Sequence, residues 1–200
     1  MNKILIKYSI VVVASLAVLY PLWIRLQSLY WSWNLSNIVL NVFPLFGLLA
    51  FTLLWLHAMS GVLEPWLRKY INFDQFVHST ATIILFSIIL HPLLLLINLR
   101  FNISNLFLYY GFTSIWLGII SWLLLITYDI GKSLQKYPFF VKNWQNILTI
   151  STIGFILIFF HSLALGSDLQ SGPLRIIWIF YGCTAILATI YTYGIKRFLK

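Results

Sequence analysis

Acid is scarce in this chain: Glu64, Asp74, Asp129 and Asp168 are its four carboxylates in 200 residues. All four fall in predicted connectors or at predicted helix ends, which leaves neither an intramembrane carboxylate protease nor a relay of buried acids anything to work with. The one cysteine, Cys183, sits in an apolar stretch. It excludes a disulfide framework and a cysteine-based metal site. Gly-x-Gly is absent, which excludes the dinucleotide fingerprint and the phosphate-binding loop in their usual forms. His-Glu-x-x-His and Gly-x-Ser-x-Gly are missing too, so hydrolase readings lose their main support.

Charge as a whole is thin. Only 8% of residues are charged and 61% are hydrophobic, with a mean hydropathy of +0.92, against about 25% and about 45–50% in an ordinary soluble domain. Those values exclude a soluble globular fold and a disordered one. The net charge of +9 would point to nucleic acid in a polar chain. Here the thirteen basic residues are scattered among long apolar runs and read as membrane-topology signals, so no nucleic-acid partner is expected.

What is abundant is apolar length. Six stretches are long enough to cross a hydrocarbon core of about 30 Å, which takes about 20 helical residues: Ile4 to Ile24, Asn37 to Leu63, Phe76 to Asn98, Leu106 to Tyr128, Ile147 to Leu165 and Leu174 to Gly194. They lack the alternation of barrel strands. The expected fold is an all-α integral membrane protein, a single transmembrane domain over 1–200 with no room for a soluble flavin or nicotinamide domain. Lys3 and Lys7 precede the first run in signal-peptide fashion, but no small-x-small cleavage site follows, and a retained helix is expected.

Ten cations fall on one side of this topology: Lys3, Lys7, Arg68, Lys69, Lys132, Lys136, Lys142, Lys196, Arg197 and Lys200. The other side has three: Arg25, Arg100 and Arg175. The positive-inside rule then places both termini in the cytoplasm and the chain in the inner membrane. Trp31, Trp33, Trp66, Trp144 and Trp178 lie near predicted span ends, where indole rings favour the interface.

The remaining candidates for chemistry are His57, His78, His91 and His161, all within apolar segments. An ionisable side chain is costly there and marks a functional site by default; a hydrogen-bonded structural role is the alternative for any one of them. With the spans alternating in direction, His91 and His161 reach one outer level, and His57 and His78 share an inner one. Two imidazoles facing each other from different helices fill both axial positions of an electron-carrying haem, whereas zinc wants three or four ligands at one level. Haem b is therefore the expected cofactor, held between the third and fifth spans. His78 and His91 are 13 residues apart, about 20 Å along the axis but about 220° around it, so a straight helix does not put them on one face. Pro92 would bend the helix there, or only kink a packing helix.

These residues resemble the ferric reductase-like transmembrane domain family, which includes the haem-binding membrane subunit of periplasmic methionine sulfoxide reductase systems and the membrane part of NADPH oxidases. The matching stretches are Gly47-Leu48-Leu49-Ala50-Phe51, then His78 followed by His91-Pro92-Leu93-Leu94, then Trp144 leading to His161, Gly166-Ser167-Asp168-Leu169 and Gly172-Pro173-Leu174-Arg175. They span about residues 44–194. The resemblance implies two b-type haems stacked across the bilayer on ligands from the third and fifth spans. The outer pair is complete as His91 and His161; at the inner level the family's partner position is Leu148, and Ser79 and Thr82 replace a basic residue and a glycine. Either the inner haem is lost and His78 bonds locally, or His57 partners His78. Arg100 and Arg175 either bind the outer haem's propionates or snorkel at helix ends.

The expected function is a membrane b-type cytochrome passing electrons to an outer-face acceptor protein or ferric iron, supplied by a separate flavoprotein or a quinone. A quinol-linked cytochrome b subunit of a larger complex, and a cofactor-free transporter or scaffold, are the rival readings.

Overall fold

The computed structural model describes residues 2–29 and 34–196. Trp31, Trp33, Arg197 and Lys200 lie outside the described residues. Among those described, every regular element is helical, and six helices are long and apolar enough to cross a membrane. They are α1 (Lys3–Gln27), α2 (Leu35–Leu67), α3 (Phe73–Asn98), α5 (Phe112–Ser133), α7 (Trp144–Leu165) and α8 (Gly172–Thr189), the last continued by a π-helical turn over Ile190–Ile195. Two short helices, α4 (Ile103–Tyr110) and α6 (Pro138–Lys142), sit in the connectors before α5 and α7.

Local sequence sets the ends. Asn2, Asn34, Asn72 and Asn102 each accept a backbone N–H from the first turn of the helix that follows, at 3.0–3.2 Å, the usual service of an N-cap. The fourth span differs from expectation. Gly111 has φ +78, a conformation that costs glycine little, and it ends α4 so that the long helix begins at Phe112 and runs on to Ser133. That displacement toward the C-terminus draws Asp129, expected just beyond the span, into the helix.

Successive long helices run antiparallel. Ser36 at the start of α2 donates to Asn98 at the end of α3 (2.7 Å), and Trp144 at the start of α7 meets Tyr128 near the end of α5. α2 packs along α3 and α5 along α7, while α8 lies mainly against α2 and α1 also packs on α2. The α5–α7 approach is close because Gly154 faces the backbone of Ser121 and Leu125, where a Cβ would come within 2.9 Å. Small residues let membrane helices approach in this way.

Aromatic rings fill the centre. Phe51 of α2 lies 4.3 Å from Trp178 and 5.3 Å from Phe155, centroid to centroid, and Trp55 stacks on Tyr181 at 4.1 Å. Trp178, expected at the interface, is instead fully buried and donates from Nε1 to Ser162 Oγ at 2.8 Å. An indole tolerates burial when its N–H finds a partner. Buried hydroxyls also bond back to main chain, as Thr52 does to the Leu49 carbonyl (3.0 Å), which spares them an unpaired place in the apolar surround.

Candidate functional site

The bundle has two ends, one carrying Arg25, Asp168 and Arg175 and the other Arg68, Lys69 and Lys132. At the Arg25 end two histidines are held in the same manner by different helix pairs. His91 of α3 donates from Nδ1 to the Phe43 carbonyl of α2 at 2.8 Å. His161 of α7 donates from Nδ1 to the Ser114 carbonyl of α5 at 2.8 Å. A carbonyl can only accept, so in each ring Nδ1 carries the proton and the lone pair stays on Nε2.

A glycine makes each contact possible. Gly47 stands one turn beyond Phe43, and Gly118 one turn beyond Ser114; a helical side chain covers the turn N-terminal to its own Cα, so a glycine there uncovers that carbonyl. Both imidazoles rest in the notch, and a Cβ on Gly47 or Gly118 would lie 2.9 or 2.5 Å from the Cε1 of His91 or His161. Both rings are half-buried.

Nδ1 bonded to a backbone carbonyl, with Nε2 free, is how proteins usually hold a metal-ligating imidazole. His91 and His161 are each a nitrogen donor of that kind, carried on two different helix pairs. Among the described residues no group of three or more histidine, cysteine, aspartate or glutamate side chains converges as a metal site, so a zinc-type cluster is not formed by them.

The inner-level histidines are not brought together. His78 is exposed, whereas His57 bonds through Nε2 to Thr80 Oγ1 on α3 (2.5 Å). The half-turn offset between His78 and His91 persists through Pro92: α3 continues to Asn98, with one ring turned to α2 and the other outward. Arg175 donates to the carbonyls of Leu169 and Gln170 at 3.0 and 3.2 Å, closing the turn before α8. Arg100 is exposed, with φ +52.

Two residues that carried no role in the sequence reading emerge here. Arg25 forms a two-pronged pair with Asp168 (3.0 and 3.2 Å), the side chains only 12% and 16% exposed, and its buried Nε has no hydrogen-bond partner. The available signal was that the end with three cations has a single acid. Asp129 lines a cavity at the opposite end together with His57 and Leu148.

Comparison with known proteins brings no match: no family model, no curated protein and no solved structure is similar to this chain.

Proposed function

We propose that this chain is a multi-pass b-type cytochrome of the inner membrane, resembling the ferric reductase-like haem subunits, with one haem between α3 and α7. The observation that carries the reading is the matched pair His91 and His161, each anchored through Nδ1 to a main-chain carbonyl and each left with a free Nε2. When bound, the haem supplies reversible one-electron chemistry. The chain's own residues position it: the carbonyls of Phe43 and Ser114 fix both ring orientations and raise the basicity of Nε2, and the aromatic packing around Phe51 and Trp178 keeps the interior dry. The buried Nε of Arg25 offers a donor for an acidic group at the same end.

Eight described cations at one end against three at the other support cytoplasmic termini and put the His91–His161 level toward the outer face. Electrons would come from a separate flavoprotein or a quinone and leave to an outer acceptor protein or ferric iron. A second haem on His57 and His78 finds little support, since those rings do not face each other.

The test is the absorption spectrum of protein purified after expression with ample haem, oxidised and then dithionite-reduced, with haem counted per polypeptide. Sharp reduced b-type bands at about one haem per chain are expected, lost in His91→Leu and in His161→Leu. A colourless wild-type protein overturns the reading in favour of a scaffold in which the same two hydrogen bonds only staple helix pairs.

A further inference from the structure

The cavity at the Lys132 end has a volume of about 240 Å³ and is enclosed by α2, α3, α5, α7 and the C-terminal part of α8. Its walls mix aliphatic and polar residues, with Leu54, Ile84, Ile88, Leu125 and Leu148 among the aliphatic ones. Set into those walls are two proton acceptors on different helices. Thr80 gives its hydroxyl proton to the Phe76 carbonyl at 2.7 Å, so it accepts from His57, whose Nε2 must then be the protonated nitrogen. Among the described residues the Nδ1 lone pair of His57 has no hydrogen-bond partner. The Asp129 carboxylate bonds to no other side chain among the described residues; Lys132 is a charged neighbour of both Asp129 and His57, and Tyr128, Ser151, Thr152, Thr189, Thr192 and Tyr193 are the other polar residues of the wall.

Two further features describe the ligand. Asp129 also stands on the wall of an open apolar depression on the outside of the bundle, lined by Leu85, Ile89, Ile126, Ile130 and Leu134. A head placed in the cavity could therefore trail an aliphatic tail past Asp129 into lipid. The site is small beside the roughly 300–1,000 Å³ of pockets that enclose drug-sized ligands, which suits a single- or fused-ring head and not a porphyrin. The π-helical turn that brings Thr192 and Tyr193 to the wall is a distortion of the kind that gathers at functional sites.

We infer that this cavity binds the head group of a lipid-soluble quinol, with His57 and Asp129 as its two proton acceptors. The inference rests on the electron-transfer reading above and assigns its donor site. Oxidation of the quinol to the quinone breaks two O–H bonds. One proton goes to Nδ1 of His57 and one to Asp129, and the two electrons would be taken one at a time by a ferric haem, which His91 and His161 would hold.

Binding can be measured without haem chemistry. The full chain in lipid nanodiscs is titrated anaerobically with decylubiquinol, and with menadiol as the naphthoquinol counterpart, with dithionite holding any haem ferrous, and the ligand bound is measured against empty nanodiscs. Gly61 lines the cavity, and a Cβ there meets nothing within 4 Å, so Gly61→Leu fills the site without a backbone clash. Saturable binding to wild type, weakened roughly tenfold or more by Gly61→Leu and by Asp129→Asn, as expected when a filled site or a lost charged hydrogen bond costs a decade in affinity, supports the site. No saturable binding, or binding equal in all three proteins, overturns it. In His57→Leu the haem count should stay unchanged while reduction by decylubiquinol slows; a fall in haem overturns the proton-acceptor role and makes His57 an iron ligand. Failure here with b-type bands present leaves the cytochrome reading standing, and absence of those bands refutes that reading alone.

Discussion

The ring of His161 occupies the space a side chain on Gly118 would need, with an added Cβ falling 2.5 Å from Cε1. Replacing glycine by alanine in a helix ordinarily gains about 0.5–1 kcal/mol, whereas overpacking costs about 1–3 kcal/mol. The clash dominates, and Gly118→Ala should lower stability by about 1–2 kcal/mol. Gly47→Ala, at 2.9 Å from His91, should lose less. Gly61→Ala, facing open space, should be neutral or gain up to about 1 kcal/mol. Thermal unfolding of the three variants in one detergent orders them; a stabilised Gly118→Ala would contradict the notch.

Asp168 and Arg25 are a mostly buried ion pair, and breaking such a pair leaves a charge uncompensated at about 3–5 kcal/mol. Partial exposure reduces this, so Asp168→Asn should cost about 2–3 kcal/mol. The double variant Arg25→Gln with Asp168→Asn should be more stable than the sum of the two single losses implies. Additive losses in a double-mutant cycle would show that the pair contributes no coupling.

Trp178 combines full burial with a hydrogen bond to Ser162, the neighbour of His161. Trp178→Phe keeps most of the volume and loses the indole's hydrogen bond, while the Ser162 hydroxyl still donates to the Phe159 carbonyl (2.7 Å), a loss of about 0.5–1.5 kcal/mol; Trp178→Ala should lose about 3–5 kcal/mol. Ser162→Ala alone should be milder than Trp178→Ala. Chemical denaturation in mixed micelles ranks them.

His78 offers the negative control. Its ring is exposed and no hydrogen bond to it is formed among the described residues, so His78→Leu should change stability by less than about 0.5 kcal/mol and leave pigment content as in wild type. A pigment loss matching that of His91→Leu would assign His78 to the iron.

Hydropathy located all six long helices, because a run of apolar residues long enough to span lipid admits one secondary structure. Their ends moved by a few residues at most except at Gly111, where one positive φ divides what hydropathy alone reads as continuous. Trp178 was misplaced for a related reason: nearness to a span end predicts an interface only when the face is known, and the partner that draws this indole inward lies 16 residues away. Level counting set His91 and His161 at one end of the bundle, and the structure gives both the same kind of anchor. Their carbonyl anchors were not legible, since Phe43 and Ser114 lie 48 and 47 residues distant and main-chain acceptors leave no mark in composition. The glycines one turn beyond them were the visible trace. Asp129 was hidden by the same misjudged span that hid Gly111.

The uneven packing of the helices has a mechanical consequence. α2 with α3, and α5 with α7, form two slabs, and besides the packing of Phe51 on Phe155 and Phe159 the side-chain hydrogen bonds that tie the second slab to the other long helices are few among the described residues: Trp122 to the Ile88 carbonyl (2.9 Å), Trp178 to Ser162 and Thr152 to Tyr193 (3.1 Å). In hydrogen bonds, the molecule's weakest seam therefore runs between the slabs, one of which carries His91 and the other His161. A prosthetic group gripped from both sides would act as a rivet, and a chain made under porphyrin starvation would part along that line first.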